Sequence, residues 1–190
     1  MRVKILKRSF AGAEFAPDVR VLKVGGQSSA GVEKLDLVIA THPHSDHIGG
    51  MAAVIDAFDV RQVVMPRISE SDTPTTKTYE NLLQSIADKG LTIMPAEPGD
   101  ELLSSGGAVL TVLAPNGEDY GDLNNYSVVL RLTYGEDSFL FTGDAEEASE
   151  EEMLSLDWPL TATVLKCGHH GSETSTSPAF LDAVSPQYAV

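Results

Sequence analysis

From Leu35 onward, short apolar runs alternate with segments of helical spacing, separated by polar turns. L-D-L-V-I-A (Leu35–Ala40) predicts a buried strand, and Met51, Val54, Ile55 and Phe58 fall on one face of a short helix spanning Gly49–Phe58. V-R-Q-V-V-M-P (Val60–Pro66) reads as a strand. Thr73-Pro74 then offers a cap and a proline for the first helical position, with Tyr79, Leu82, Leu83 and Ile86 forming an apolar stripe behind it. Lys89-Gly90 ends that helix, and L-T-I-M-P follows as a short strand. Ala108–Pro115, Ser127–Tyr134 and Ser138–Thr142 predict three more strands, the last two joined by the hairpin-length G-E-D. Ala145–Leu156 is an acidic helix whose early carboxylates suit the positive end of its dipole. Thr163–Cys167 is a strand, Ser177-Pro178 opens a helix, and Q-Y-A-V begins another strand. The alternation is that of a mixed α/β domain. Residues 1–34 carry less pattern: Val19–Val24 fits a short strand, and G-G-Q-S-S-A-G after it fits a loop.

A chain of 190 residues suits one compact domain, and 42% apolar with 22% charged residues is ordinary globular composition. Charge changes the picture more. A net charge of −15 repels phosphate backbones and anionic membranes, so a broad basic nucleic-acid-binding surface is not expected. Nucleic acid stays open as a substrate, because bound divalent cations reverse the sign locally. The single cysteine, Cys167, excludes an internal disulfide and reads as a small core residue. The start M-R-V-K-I-L-K-R lacks the apolar core of a secretory signal, and no apolar run approaches the ~20 residues that span a bilayer. A soluble chain is expected, cytoplasmic by default. Its oligomeric state is not readable.

The five histidines fall in two clusters, His42, His44 and His47, then His169 and His170, each just after an apolar strand. Asp144, in F-L-F-T-G-D, also ends a strand. Strand ends are where α/β folds place ligands, because the backbone there is held and the following loop is free to vary. His-x-His-x-Asp-His has a logic for two metals. His42 and His44 can project to one side of an extended turn and bind one ion, while Asp46 and His47, offset onto the next turn, reach a second. Zinc-class ions accept imidazole nitrogen and carboxylate oxygen at ~2.0–2.2 Å. A pair ~3.5–4 Å apart acidifies a water between them and clamps both oxygens of a displacement. Asp144 is the natural bridging carboxylate, and a histidine of the second cluster completes one site. Lys166, Ser172 and Ser175 flank that cluster and are candidates to contact an anionic substrate.

Taken together, L-D-L-V-I-A-T-H-P-H-S-D-H-I-G-G, L-N-N-Y-S-V-V-L-R-L-T-Y-G, S-F-L-F-T-G-D-A and V-L-K-C-G-H-H-G-S-E-T-S-T-S resemble the metallo-β-lactamase superfamily. The second and fourth stretches are similar to its ComEC-type competence branch and that branch's small metallo-hydrolase relatives. The matching region, Leu35–Val190, is about four-fifths of the chain. The resemblance implies an αββα sandwich with metal ligands on strand-end loops along one edge. It carries His42, His44, Asp46 and His47 onto the first metal motif, Asp144 onto the bridging aspartate, and His169 onto the late histidine, with His170 its close competitor. Asp46 and His170 stand as catalytic candidates and Asn125 as a substrate contact. The implied cofactor is a pair of divalent ions, zinc or manganese.

Two departures from the family pattern shape the expectation. No histidine lies between His47 and His169, and Asn124-Asn125 stand where many relatives carry one. Asparagine oxygen is a weaker ligand for zinc-like ions, so the ion held by His42 and His44 is expected to be loosely held or open, although the branch itself typically shows this asparagine. Residues 1–34 do not reproduce the usual opening strand pair with its Gly-rich aspartate turn, and relatives continue into a Gly-His-Pro loop. The expectation is therefore a single domain, residues 1–190, atypical over 1–34 and truncated at both ends. The function expected is a dinuclear metal-dependent hydrolase of small-molecule or nucleic-acid phosphodiesters, linked to DNA uptake and extracytoplasmic if part of a ComEC-type protein. Two alternatives stand beside it: a non-catalytic partner-binding module on the same fold, and a lactam or thioester hydrolase.

Overall fold

A computed structural model describes residues 33–190 in full and, before them, the backbone of Lys4–Ile5, Ala13–Ala16 and Val19–Val21. Those three segments are β1, β2 and β3; β2 and β3 pair antiparallel. The predicted strand Val19–Val24 is thus described over Val19–Val21, and its remainder and the loop after it lie outside the described residues.

Two sheets face each other. The smaller is parallel, in the order β5 (Val38–Ile39), β7 (Val63–Met65), β8 (Ile93–Pro95). The larger has seven strands in the order β1, β14 (Tyr188–Ala189), β13 (Val164–Lys166), β12 (Asp137–Phe141), β11 (Val129–Tyr134), β10 (Ala108–Ala114), β9 (Glu101–Ser105). Helices α1 (Ser45–Ile48), α2 (Met51–Ala57) and α3 (Lys77–Asp88) cover the small sheet, and α4 (Glu147–Ser155) and α5 (Pro178–Val184) cover the large one. This is the αββα sandwich that the motifs imply.

Strand pleating explains why the apolar runs are continuous rather than alternating. On β7, Val63 and Met65 pack outward with Ile55, Leu82 and Ile86 of the helices, while Val64 between them packs inward with Val112, Val128 and Leu130 of the other sheet. Likewise Val129 and Leu140 meet Met153 and Phe180 of α4 and α5, whereas Leu130 and Phe141 face the small sheet. Both faces of the central strands are buried over much of their length, so apolar residues run on through consecutive positions such as Val63–Met65 and Val128–Leu130. Each fully buried aliphatic side chain contributes about 1.5–3 kcal/mol, which is why three stacked cores hold so short a chain.

Four elements differ from the sequence expectation, one of them Val60–Pro66, which is divided between β6 (Asp59–Val60) and β7. Leu35–Ala40 is two strands, because Asp36 is exposed and breaks the run; β4 (Lys34–Leu35) pairs with β6, and β5 pairs with β7. Helix α3 starts three residues later than Thr73-Pro74 signals. The Thr76 hydroxyl accepts from the Tyr79 amide, while the Thr73 hydroxyl donates to the Ser69 carbonyl and is spent on the loop. Strand β9 has no strong apolar pattern and forms as the partner of β10 across Gly106-Gly107, both at positive φ.

Candidate metal centre

Four chain segments meet at one edge of the sandwich. β12 and β13 run parallel and so release Thr142–Asp144 and Cys167–His170 side by side. β11 is antiparallel to β12, so Ser127 and Val128 enter at that same edge. The Val128 amide donates to the Thr41 carbonyl at 2.9 Å, which fastens the end of β5, and the histidine turn behind it, to the large sheet.

The first histidine turn is built locally. His44 is extended and precedes α1, so His42 and His44 lie before the helical turn while Asp46 and His47 lie on it. His42 is buried and its Nε2 lies 3.1 Å from His44 Nδ1. His42 Nδ1 faces two hydroxyls, Thr41 at 3.2 Å and Ser127 at 3.3 Å. Both oxygens are able to accept from an Nδ1–H, and in that tautomer the Nε2 lone pair faces the cluster. Burial, aided by the neighbouring His47 ring, holds His42 well below the ordinary histidine range and keeps it neutral.

Asp144 is the hub. Its Oδ2 lies 2.9 Å from His47 Nε2, 3.3 Å from His170 Nε2 and 3.9 Å from His42 Nε2. Burial pushes its carboxyl up, but the hydrogen bond and charge of His47, with the charge of His170, outweigh burial and keep it below the usual carboxylate range. Asp144 Oδ1 is buried and makes no hydrogen bond among the described residues; the Lys166 ammonium lies 3.8 Å away. Asp46 Oδ2 closes the cluster at 3.5 Å from His47 Nε2 and 3.3 Å from His170 Nε2. One donor atom each from Asp46, His47, Asp144 and His170 falls within 4.8 Å of all the others.

This donor set fits a divalent metal. The Nε2 atoms of His47 and His170 are 3.1 Å apart and both face carboxylates, a convergence of lone pairs that direct hydrogen bonding satisfies poorly. An orphaned buried carboxylate oxygen beside them is the kind of group a cation satisfies. Ser127, fully buried, ties the halves together: its Oγ accepts from the Asp144 amide at 3.0 Å and meets His42 Nδ1. Gly143 before it sits at φ +57°, and a Cβ there would come within 2.9 Å of the Ser127 side chain.

The second histidine turn divides its two rings. His170 enters the cluster; His169 does not, and its Nδ1 instead pairs with Glu146 Oε1 at 2.9 Å and Thr174 Oγ1 at 3.1 Å. The other sequence candidates also separate. Lys166 donates to the Gly143 carbonyl at 2.9 Å beside the cluster. Asn125 is buried and its Oδ1 accepts from the amides of Glu146 and Ser149, opening α4. Ser175 is buried and donates to the Ala145 carbonyl, and Ser172 bonds within its own loop. Ser127, Thr41, Glu146, Glu150 and Thr174 support the site without having stood out in the sequence. Cys167 packs beside the core, and burial raises its thiol. No helix among the described residues is long and apolar enough to cross a membrane.

The profile of a family described as the metallo-beta-lactamase superfamily matches residues 15–190. The chain is 32% identical to ComE operon protein 3 of Bacillus subtilis over 163 residues, which is 86% of this chain and 20% of that protein. It is 32% identical to competence protein ComA of Neisseria gonorrhoeae over 164 residues, again 86% of this chain and 20% of that one. The chain thus spans about a fifth of the length of these relatives. Among solved structures it is similar to CmlA, a diiron beta-hydroxylase from Streptomyces venezuelae, with a TM-score of 0.54 and 16% identity over 85% of this chain and 36% of that one. That likeness concerns the fold.

Proposed function

The chain belongs to the metallo-beta-lactamase superfamily, and from that premise we propose that it is a metal-dependent hydrolase with a two-ion site that cleaves phosphodiesters. The observation that carries the reading is the convergence of Asp46, His47, Asp144 and His170 with His42 and His44 at their border. His42 and His44 would hold one ion, Asp46, His47 and His170 the other, and Asp144 both; zinc and manganese suit imidazole and carboxylate donors. Bound divalent metal would acidify water at neutral pH and polarise a phosphoryl oxygen.

The chain's own residues account for the rest. Ser127 and Thr41 hold the Nδ1 edge of the His42 ring, so that its Nε2 is aimed into the cluster before any ligand arrives. Asp46, exposed and beside His170, is placed to take a proton from an attacking water or return one to a leaving oxygen. Lys166 brings a positive charge to the rim of an otherwise acidic chain, where a phosphate oxygen would dock. The competence proteins among its relatives support a role in DNA uptake, with this domain as one part of a longer protein.

The test is to load the wild type, His42→Ala and Asp46→Ala with zinc or manganese and follow a chromogenic phosphodiester. Turnover in the wild type alone is expected, and equal turnover in all three sinks the proposal. Metal content measured on the same samples separates the non-catalytic alternative: near two ions per chain supports the enzyme, and none after supplementation supports a partner-binding module.

A further inference from the structure

Two adjacent histidines with the same chemistry follow β13, yet only His170 joins the cluster. The backbone between them is unusual. His169 and His170 both adopt left-handed conformations, at φ 44° and 54°, which side-chain-bearing residues rarely hold unless neighbours enforce it. The enforcing contacts come from α4. Glu146, at its N-terminal end, gathers three donors on one oxygen: His169 Nδ1 at 2.9 Å, the Thr174 hydroxyl at 2.6 Å and the Asn124 amide at 3.2 Å. One helical turn on, the buried Glu150 accepts from the amides of Thr176 and Ser177, so two carboxylates on one face of α4 clasp the loop that leaves the histidine pair. The helix is itself fixed by Asn125, which caps it at Glu146 and Ser149.

We propose that Glu146 is the positioning residue that gives the two histidines different tasks: it binds His169 from outside the cluster, and the left-handed turn so held delivers His170 into it. The inference rests on the reading of the cluster as a metal site. It also gives the N-N stretch a place in the mechanism. Asn124 and Asn125 support the late histidine through Glu146 and α4.

Cobalt(II) is the probe, titrated calorimetrically into this chain with its visible absorption recorded. Glu146→Ala should lower cobalt affinity about 10–100-fold, the range typical of residues that orient a ligand, and shift the absorption toward that of His170→Ala. Adding Glu146→Ala to His170→Ala should change affinity by less than about twofold, because a residue that acts through His170 has nothing left to act on. Glu151→Gln, exposed on the same helix, should match the wild type. Losses that multiply in the double variant, or wild-type affinity in folded Glu146→Ala, overturn the inference. Glu146→Gln keeps an acceptor and keeps the test open should the alanine variant not fold. Wild-type-like affinity and absorption are expected of it, and a loss equal to that of His170→Ala overturns the account. A wild type that takes up no cobalt overturns the metal reading and this inference together; uptake that is indifferent to Glu146 overturns this inference alone.

Discussion

The two histidine turns reach the same cluster by opposite means. The first, His42 to His47, needs no left-handed residue: the extended His44 leads into one helical turn, which carries Asp46 and His47. The second, His169–His170, is two consecutive left-handed residues, each costing about 1–3 kcal/mol, and it persists because Glu146 and Glu150 on another helix hold it. The backbone of a locally encoded turn is set by its own residues, and contacts from elsewhere, such as Ser127 on His42, steer its rings. A turn encoded by tertiary contacts depends on residues that never touch the ligand.

Asp144 belongs to neither turn and faces both, so its removal should give the largest effect. Asp144→Ala is expected to lower zinc or manganese affinity by more than ~100-fold, beyond the range for supporting residues, as measured by calorimetry. A smaller loss would mean that the two turns hold metal independently and that Asp144 does not join them. Next comes Ser127→Ala. It removes the hydroxyl that faces His42 and leaves the buried Asp144 amide unpaired. About 10–100-fold in metal affinity and ~1–3 kcal/mol in stability are expected from titration and denaturant unfolding. Because Ser127 supports the first turn, its effect should survive in a His170→Ala background, where that of Glu146→Ala should not.

The same contrast decides what the sequence could disclose. The mixed α/β character was legible because buried strands announce themselves as apolar runs, the sandwich because the motifs resemble a known family, and the first turn because His42, His44, Asp46 and His47 carry their geometry in their spacing. The division of labour between His169 and His170 was not. Two identical side chains in sequence are told apart by contacts such as that to Glu146, 23 residues from His169 and without a periodic relation to it. Asn125 and Ser175 are polar residues beside a site, which reads equally as substrate contact or as internal support; burial and partners distinguish these, and neither is a sequence property. Strand β9 was hidden because its pairing, not its composition, makes it a strand, although Gly106-Gly107 was a usable turn signal.

Glu150 separates stability from metal binding on the second turn. It is 1% exposed, and its two oxygens satisfy the Thr176 and Ser177 amides. Glu150→Ala strands both donors and should cost about 1–3 kcal/mol in denaturant unfolding. Its effect on metal affinity should be smaller than that of Glu146→Ala, because Glu150 grips the far end of the loop rather than the histidine itself. Equal affinity losses would show that the whole loop, not the Glu146 contact, places His170.

The smallest expected effect is at Asn125, and it tells two roles apart. Its Oδ1 accepts from both Glu146 and Ser149 at the start of α4, where Glu146 itself makes no capping bond. Asn125 is therefore a cap supplied from another element, and caps contribute about 0.5–2 kcal/mol. Asn125→Ala should lower stability by that amount and weaken metal binding only slightly, since Glu146 retains its bonds to His169 and Thr174. A substrate contact behaves differently: KM for the phosphodiester rises while unfolding is unchanged. Asn125→Asp separates the two further. A carboxylate keeps an acceptor facing two helix-terminal amides and should preserve stability, yet it places negative charge where an anionic substrate contact would be repelled. Preserved stability with unchanged KM fixes Asn125 as support for the second turn, and a raised KM moves it into the binding surface.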